Sequence, residues 1–184
     1  MVVVIVVIAL VLLAGLIFIL IRNSMIASRN QVDEAWSGID VQLKRRHDLI
    51  PNLVETVKGY ATHEQAVFVK TTEARAEAMK AGSVEATQQA EAKLSGALTD
   101  LRAVAEGYPE LRATENFQQL QRNLNEIEDE IQASRRIYNS NVQSYNTKIQ
   151  VFPNSIVANS GGFTAREFFE IEDAADRENV EVKF

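Results

Sequence analysis

The chain opens MVVVIVVIALVLLAGLIFILI. From Val2 to Ile21, twenty residues run without a charge or a hydrogen-bonding side chain, and seventeen of them are Val, Ile, Leu or Phe. A helix rising about 1.5 Å per residue covers roughly 30 Å over such a length, the thickness of the bilayer hydrocarbon. Each bulky apolar side chain favours insertion by about 0.3–0.6 kcal/mol near the membrane centre. A cleaved signal peptide would show a basic leader, a shorter apolar core and a small-x-small cleavage site. Here no Lys or Arg precedes the run, and Ser24-Met25-Ile26 is a poor cleavage site. The run is expected to be an uncleaved anchor. Arg22 and Arg29 follow it at the membrane interface, and this basic flank predicts that the remainder lies in the cytoplasm.

Beyond the anchor the apolar positions keep a helical period. Phe117, Leu120, Leu124, Ile127, Ile131, Ser134, Tyr138, Asn141, Tyr145, Ile149 and Phe152 recur in steps of 3 and 4. That spacing predicts one long helix with a seam for packing on other long helices. The seam is apolar in its first half, whereas Ser134, Tyr138, Asn141 and Tyr145 make the second half polar. An earlier stripe runs Val32, Trp36, Ile39, Leu43, Ile50, Leu53, Val57, Tyr60 and Val67. Its phase survives Pro51, which predicts one helix kinked there or two nearly collinear ones. The same phase brings Arg46 and Glu64 near the core face, where each must reach solvent or find a partner. Gly82 suits a helix C′ position and Ser83 an N-cap. Val84, Leu94, Leu98, Leu101, Ala105 and Tyr108 form the next stripe. Gly107-Tyr108-Pro109-Glu110 then interrupts the chain, and Thr114 is suited to cap the last helix.

Turn signals follow at Phe152-Pro153-Asn154-Ser155 and Asn159-Ser160-Gly161-Gly162. Between Thr164 and Phe184 seven acidic residues face three basic ones. A short helix is expected around Ala165–Ile171, with the rest extended. Two readings stand for this segment: a solvated tail, or a docking tail whose Phe163, Phe168, Phe169 and Phe184 pack on the bundle or on a neighbouring subunit. The organisation predicted is therefore a transmembrane anchor over 1–22, a helical bundle over 23–152 and a turn-rich acidic tail over 153–184. The fold class is all-α: a transmembrane helix followed by a long antiparallel three- or four-helix bundle.

Charge and candidate chemistry narrow the function. The net charge is −6 and the pI about 5.1, which argues against a nucleic-acid partner. His63-Glu64-Gln65-Ala66-Val67 begins like a zinc-protease helix, but Val67 stands where the second histidine ligand would be. With two histidines and no cysteine in the chain, neither a metal nor any other cofactor is expected. No residue set suggests a catalytic nucleophile, so the chain is not expected to be an enzyme. Lys44-Arg45-Arg46-His47-Asp48 is the densest basic cluster. Arg45 and Arg46 either form salt bridges within the bundle or touch a partner beside Pro51. Trp36, Tyr138, Asn141 and Tyr145 are read as helix-pairing positions that fix register, with a partner-binding groove as the alternative.

Several stretches together resemble the LemA family. They are Arg29-Asn30-Gln31-Val32-Asp33-Glu34-Ala35-Trp36, the run from Ile39 through Asp48-Leu49-Ile50-Pro51-Asn52-Leu53-Val54, Ala105-Glu106-Gly107-Tyr108-Pro109, Glu115-Asn116-Phe117, Arg135-Arg136-Ile137-Tyr138-Asn139 and Tyr145-Asn146-Thr147. The resemblance spans roughly residues 23–163. It implies a bacterial inner-membrane protein with one span, a long antiparallel bundle and no catalytic residues to carry over. It also implies possible partners: a membrane zinc protease of the HtpX type or a TPM-domain membrane protein. The function expected is a membrane-tethered, non-catalytic scaffold that self-associates into a homo-oligomer on the lipid bilayer and binds other membrane proteins. The alternative is a regulatory or adaptor subunit of a membrane quality-control protease.

Overall fold

The computed structural model describes residues 1–170; Ile171 and Phe184, both named above, lie outside the described residues. The described residues contain helices and no strand. In chain order the helices are α1 (Val2–Lys58), α2 (Gln65–Ala78), α3 (Val84–Glu106), α4 (Pro109–Ala113), α5 (Glu115–Gln150) and α6 (Asn154–Gly161). They divide between two compact units. Of the described residues, one comprises Met1–Gly38 and Arg136–Phe168, the other Ile39–Arg135 with Phe169 and Glu170.

In the second unit the C-terminal part of α1 carries Ile39, Leu43, Ile50, Leu53 and Val57 on one buried stripe. Of these, Ile50, Leu53 and Val57 pack with Phe68 of α2, Leu94, Leu98 and Leu101 of α3, Leu111 of α4 and Phe117, Leu120 and Leu124 of α5. Full burial of each such side chain contributes about 1.5–3 kcal/mol. Helices α2 and α3 form an antiparallel hairpin, tied on its surface by Lys70–Asp100 at 2.6 Å and Glu77–Lys93 at 2.5 Å. The Ser83 hydroxyl caps α3 by accepting from the Ala86 amide at 3.1 Å. Thr114 Oγ1 accepts from the Phe117 amide at 3.4 Å at the start of α5, and Pro109 opens α4.

In the first unit α1 carries the apolar run, and Val2 through Leu20 are exposed. This is the one described helix long and apolar enough to cross a membrane, and none of its most apolar window is buried. Past the run, Met25, Ser28 and Val32 of α1 are buried, as are Tyr138, Val142, Tyr145 and Ile149 of α5. The pairing is antiparallel: Asn141 Nδ2 donates to the Gln31 carbonyl at 3.1 Å, and Lys148 Nζ donates to the Ser24 carbonyl at 3.4 Å. Gly162, with φ +68°, ends α6 in the left-handed conformation that favours glycine.

Several expectations are corrected in detail. Helix α1 runs unbroken through Pro51 but stops at Lys58, so Tyr60 is exposed and Val67 belongs to a separate helix. Past the turn at Gly59-Tyr60 the buried positions are Ala61 and Phe68, one residue later than Tyr60 and Val67. Gly82 does not cap α2, which ends earlier at Ala78 with Met79 as its cap. Phe152 leaves the seam and is 81% exposed. The short helix lies at Asn154–Gly161, taking in residues of both turn signals, whereas residues 163–170 are irregular and no helix starts at Ala165.

Candidate functional site

Two sets of polar side chains stand out, one in each unit. In the second unit, Arg46 of α1 is 1% exposed and Glu91 of α3 is fully buried. The Arg46 guanidinium donates to Glu91 Oε2 through one terminal nitrogen. Through the other it donates to Glu128 Oε2 of α5 at 3.0 Å, with Ser95 Oγ at 3.5 Å. His47 Nε2 lies 2.6 Å from Glu91 Oε1, so one carboxylate serves two adjacent residues of α1. Arg75 of α2 donates Nε–H to the His47 carbonyl at 2.7 Å. Four helices thus converge on one buried charge cluster.

Its electrostatics follow from desolvation. Burial lowers the pKa of Arg46, opposed by the Glu128 carboxylate; the guanidinium's high intrinsic basicity keeps it charged. Burial also pulls His47 down to about 4, helped by the positive charges of Arg46 and Arg75. The carboxylates of Asp48 and Asp40 pull the other way but do not offset burial. The imidazole therefore stays neutral at pH 7 and donates its Nε2–H to Glu91. A cavity of about 220 Å³ opens beside the cluster, lined among others by Asp40, Lys44, Asp48 and Thr87. His63 and Glu64 sit in the turn before α2, off any helix. Among the described residues no group of three or more His, Cys, Asp or Glu is placed to hold a metal ion.

In the first unit the polar half of the α5 seam holds two things. Against α1 it sets Tyr138 edge-on to Trp36, with ring centroids 5.4 Å apart, together with the Asn141–Gln31 contact. Against the segment after α6 it sets three hydrogen bonds to main chain. Asn146 donates to the Arg166 carbonyl at 2.9 Å and accepts from the Arg166 amide at 2.8 Å, while Tyr138 Oη donates to the Glu167 carbonyl at 2.8 Å. Arg166 also pairs with Asp33 at 2.9 Å. Burial raises the pKa of both Tyr138 and Tyr145, so both are protonated hydrogen-bond donors at pH 7.

The sequence-predicted residues distribute over these features. Arg22 is exposed, and Arg29 lies over the Phe163 ring at 5.7 Å. Arg45 is exposed and donates to Gln42 at 2.9 Å, whereas Arg46 is the centre of the buried cluster. Pro51 is exposed inside α1. Trp36 is half-buried, Asn141 is half-buried, and Tyr138 and Tyr145 are buried. Of the phenylalanines, Phe169 is fully buried, its ring 5.7 Å from the Arg135 guanidinium, while Phe168 is 37% exposed. Sequence reasoning missed Glu91. The α3 stripe of Leu94, Leu98, Leu101 and Ala105 extended back one step lands on it, and that was the available signal.

The sequence profile of the LemA family matches residues 35–184. The chain is 26% identical over 180 residues to the magnetosome protein MamQ 2 of Paramagnetospirillum magneticum, a match covering 84% of this chain and 66% of that protein. It is 24% identical to the magnetosome protein MamQ of Magnetospirillum gryphiswaldense, with the same coverage of 84% and 66%. Protein LemA of Metamycoplasma hominis is 27% identical over 141 residues, covering 74% of this chain and 63% of that protein. The chain thus spans just under two thirds of the length of these curated relatives.

Two outcomes are expected from the buried cluster. Glu91→Ala leaves Arg46 buried without its main carboxylate and costs about 3–5 kcal/mol, whereas the pair Arg46→Met with Glu91→Leu recovers most of that loss; urea unfolding of the detergent-solubilised chain, followed by circular dichroism, measures both. Stability also falls as pH drops. The folded His47 pKa of about 4 lies below the ordinary 6.5, so the unfolded chain takes up the proton first. The contribution is complete above pH 6.5 and declines as pH falls from there towards 4. In His47→Gln the unfolding midpoint is expected to be flatter across that window than in the parent chain.

Proposed function

The chain belongs to the LemA family, and from that footing we propose that it is a membrane-tethered, non-catalytic scaffold that acts through self-association and through binding other membrane proteins. One observation carries the reading. The exposed apolar residues of Val2–Leu20 belong to the same helix, α1, whose later residues are buried against α5. Such a helix gives membrane association a direct physical basis. Tethering confines the polar part to a thin layer at the bilayer surface, which raises its effective concentration and makes weak self-affinity sufficient for assembly. The similarity to proteins named for the magnetosome is in keeping with work at a membrane surface.

We further propose that the helical part faces the cytoplasm. The basic residues near the end of the apolar run are Arg22, Arg29 and, brought there by its contact with Ser24, Lys148. Together they support the orientation that positive charge favours.

Light scattering on the detergent-extracted full chain tests the scaffold. A discrete assembly of several copies is expected; a monomer that co-purifies with a membrane protease would instead favour the adaptor reading. Orientation is checked with Gln143→Cys in intact cells: a membrane-impermeant maleimide should label it only after the inner membrane is permeabilised. Labelling before that step would reverse the assignment.

A further inference from the structure

The corner between α5 and α6 exposes Val151 at 46%, Phe152 at 81% and Ile156 at 61% of their surfaces. Outside the apolar run of α1, these form the main local concentration of exposed large apolar side chains among the described residues. The corner lies in the same unit as that run, and its level along α1 can be read from the pairing of α1 with α5. In the pairs Asn141–Gln31 and Lys148–Ser24 the residue numbers add to 172 in both cases, and Lys148 also reaches Ser28. Four residues beyond Lys148, this register carries Phe152 to the level of residues 20–24, where the apolar run ends.

The composition of the corner agrees with that level. From Ile149 to Ala165 there is no Asp, Glu, Lys or Arg, in a chain of which 24% is charged. The uncharged stretch is bounded by Lys148 and Arg166, and Arg22 flanks the span at the same height. A solvated corner has no reason to lose its charges. One set against lipid does, because an ionised side chain costs several kcal/mol to bring into hydrocarbon. Exposed Phe and Ile beside a cationic rim is also the pattern by which peripheral segments bury apolar side chains about 5–10 Å into the boundary between headgroups and acyl chains.

We propose that Val151, Phe152 and Ile156 insert into the same bilayer that α1 spans, making the α5–α6 corner a second, interfacial membrane contact. This rests on reading α1 as the membrane anchor. It gives the helical part a fixed stance on the membrane: one spanning helix alone leaves it free to swing, whereas a span and a wedge together hold it.

The native chain has no cysteine, so single labels are clean. Full-length F152C, L20C and Q143C are labelled with the polarity-sensitive fluorophore NBD. Each is reconstituted into phosphatidylcholine–phosphatidylglycerol vesicles with or without doxyl-labelled lipid. The F152C signal is expected to be blue-shifted and quenched by doxyl lipid to an extent comparable with L20C and several-fold above Q143C, which carries the same dye on an exposed site of α5. Quenching of L20C with F152C at the Q143C level overturns the wedge and leaves the span intact. Absence of quenching in L20C overturns the span, and the wedge falls with it. A blue-shifted F152C that lipid cannot quench places another copy of the chain over the corner and also overturns the proposal.

Discussion

An arginine that retains 1% of its surface inside an apolar interior leaves the surrounding helices little choice. Arg46 cannot shed its charge, so a carboxylate must come to it, and the packing of the second unit is arranged around that meeting. Glu91 on α3 provides the buried partner, Glu128 on α5 the outer one, and Arg75 on α2 secures the adjacent carbonyl of α1. Leucine and isoleucine contacts tolerate sliding by a turn; this ion pair does not. Hydrophobic burial supplies the bulk of the cohesion, and the charge cluster selects one register among those that burial alone would permit.

The first unit reaches definition by other means. Its α1–α5 contact has fewer large apolar residues and relies on hydrogen bonds from Asn141 to Gln31 and from Lys148 to Ser24 and Ser28. The surface of α5 that looked from sequence like a groove for a partner is occupied by the chain's own residues 166–167. Tyr138 and Asn146 lie on the face of α5 where that segment is held. What reads as a docking tail is therefore partly an internal seal for α5, with Phe163 against Arg29, while in the second unit Phe169 is closed in beside Arg135.

Much of this was legible before any coordinates. The apolar run, the seam of α5 as far as Ile149, the Ser83 and Thr114 caps and the break at Pro109 follow from period and local chemistry. Arg46 announced itself by falling on an apolar phase, and burial against a partner was one of the two fates open to it. The other half of that pair was hidden because the α3 stripe is thinly populated between Val84 and Leu94, and a glutamate at a seam position looks like a solvated residue until a cation is known to face it. The end of α1 was also obscured, since Tyr60 and Val67 continue its apolar spacing although Ala61 and Phe68 are the residues that are buried. Helix α6 was missed for the opposite reason: Asn, Ser, Pro and Gly mark turns, and here residues of both turn signals lie in a helix of only eight residues.

The grip on residues 166–167 has a consequence for how freely this part of the sequence can drift. Asn146 meets Arg166 through amide and carbonyl alone, as a neighbouring strand would, and Tyr138 likewise takes only the carbonyl of Glu167. Such recognition does not read side-chain identity. Substitutions at Thr164, Ala165 or Glu167 can therefore accumulate without dislodging the segment, whereas a proline at 166, whose amide is engaged, would break the contact. The holder is constrained while Thr164, Ala165 and Glu167 are free to vary around the Arg166–Asp33 pair, so an uninformative stretch of sequence can still keep a fixed place in the fold.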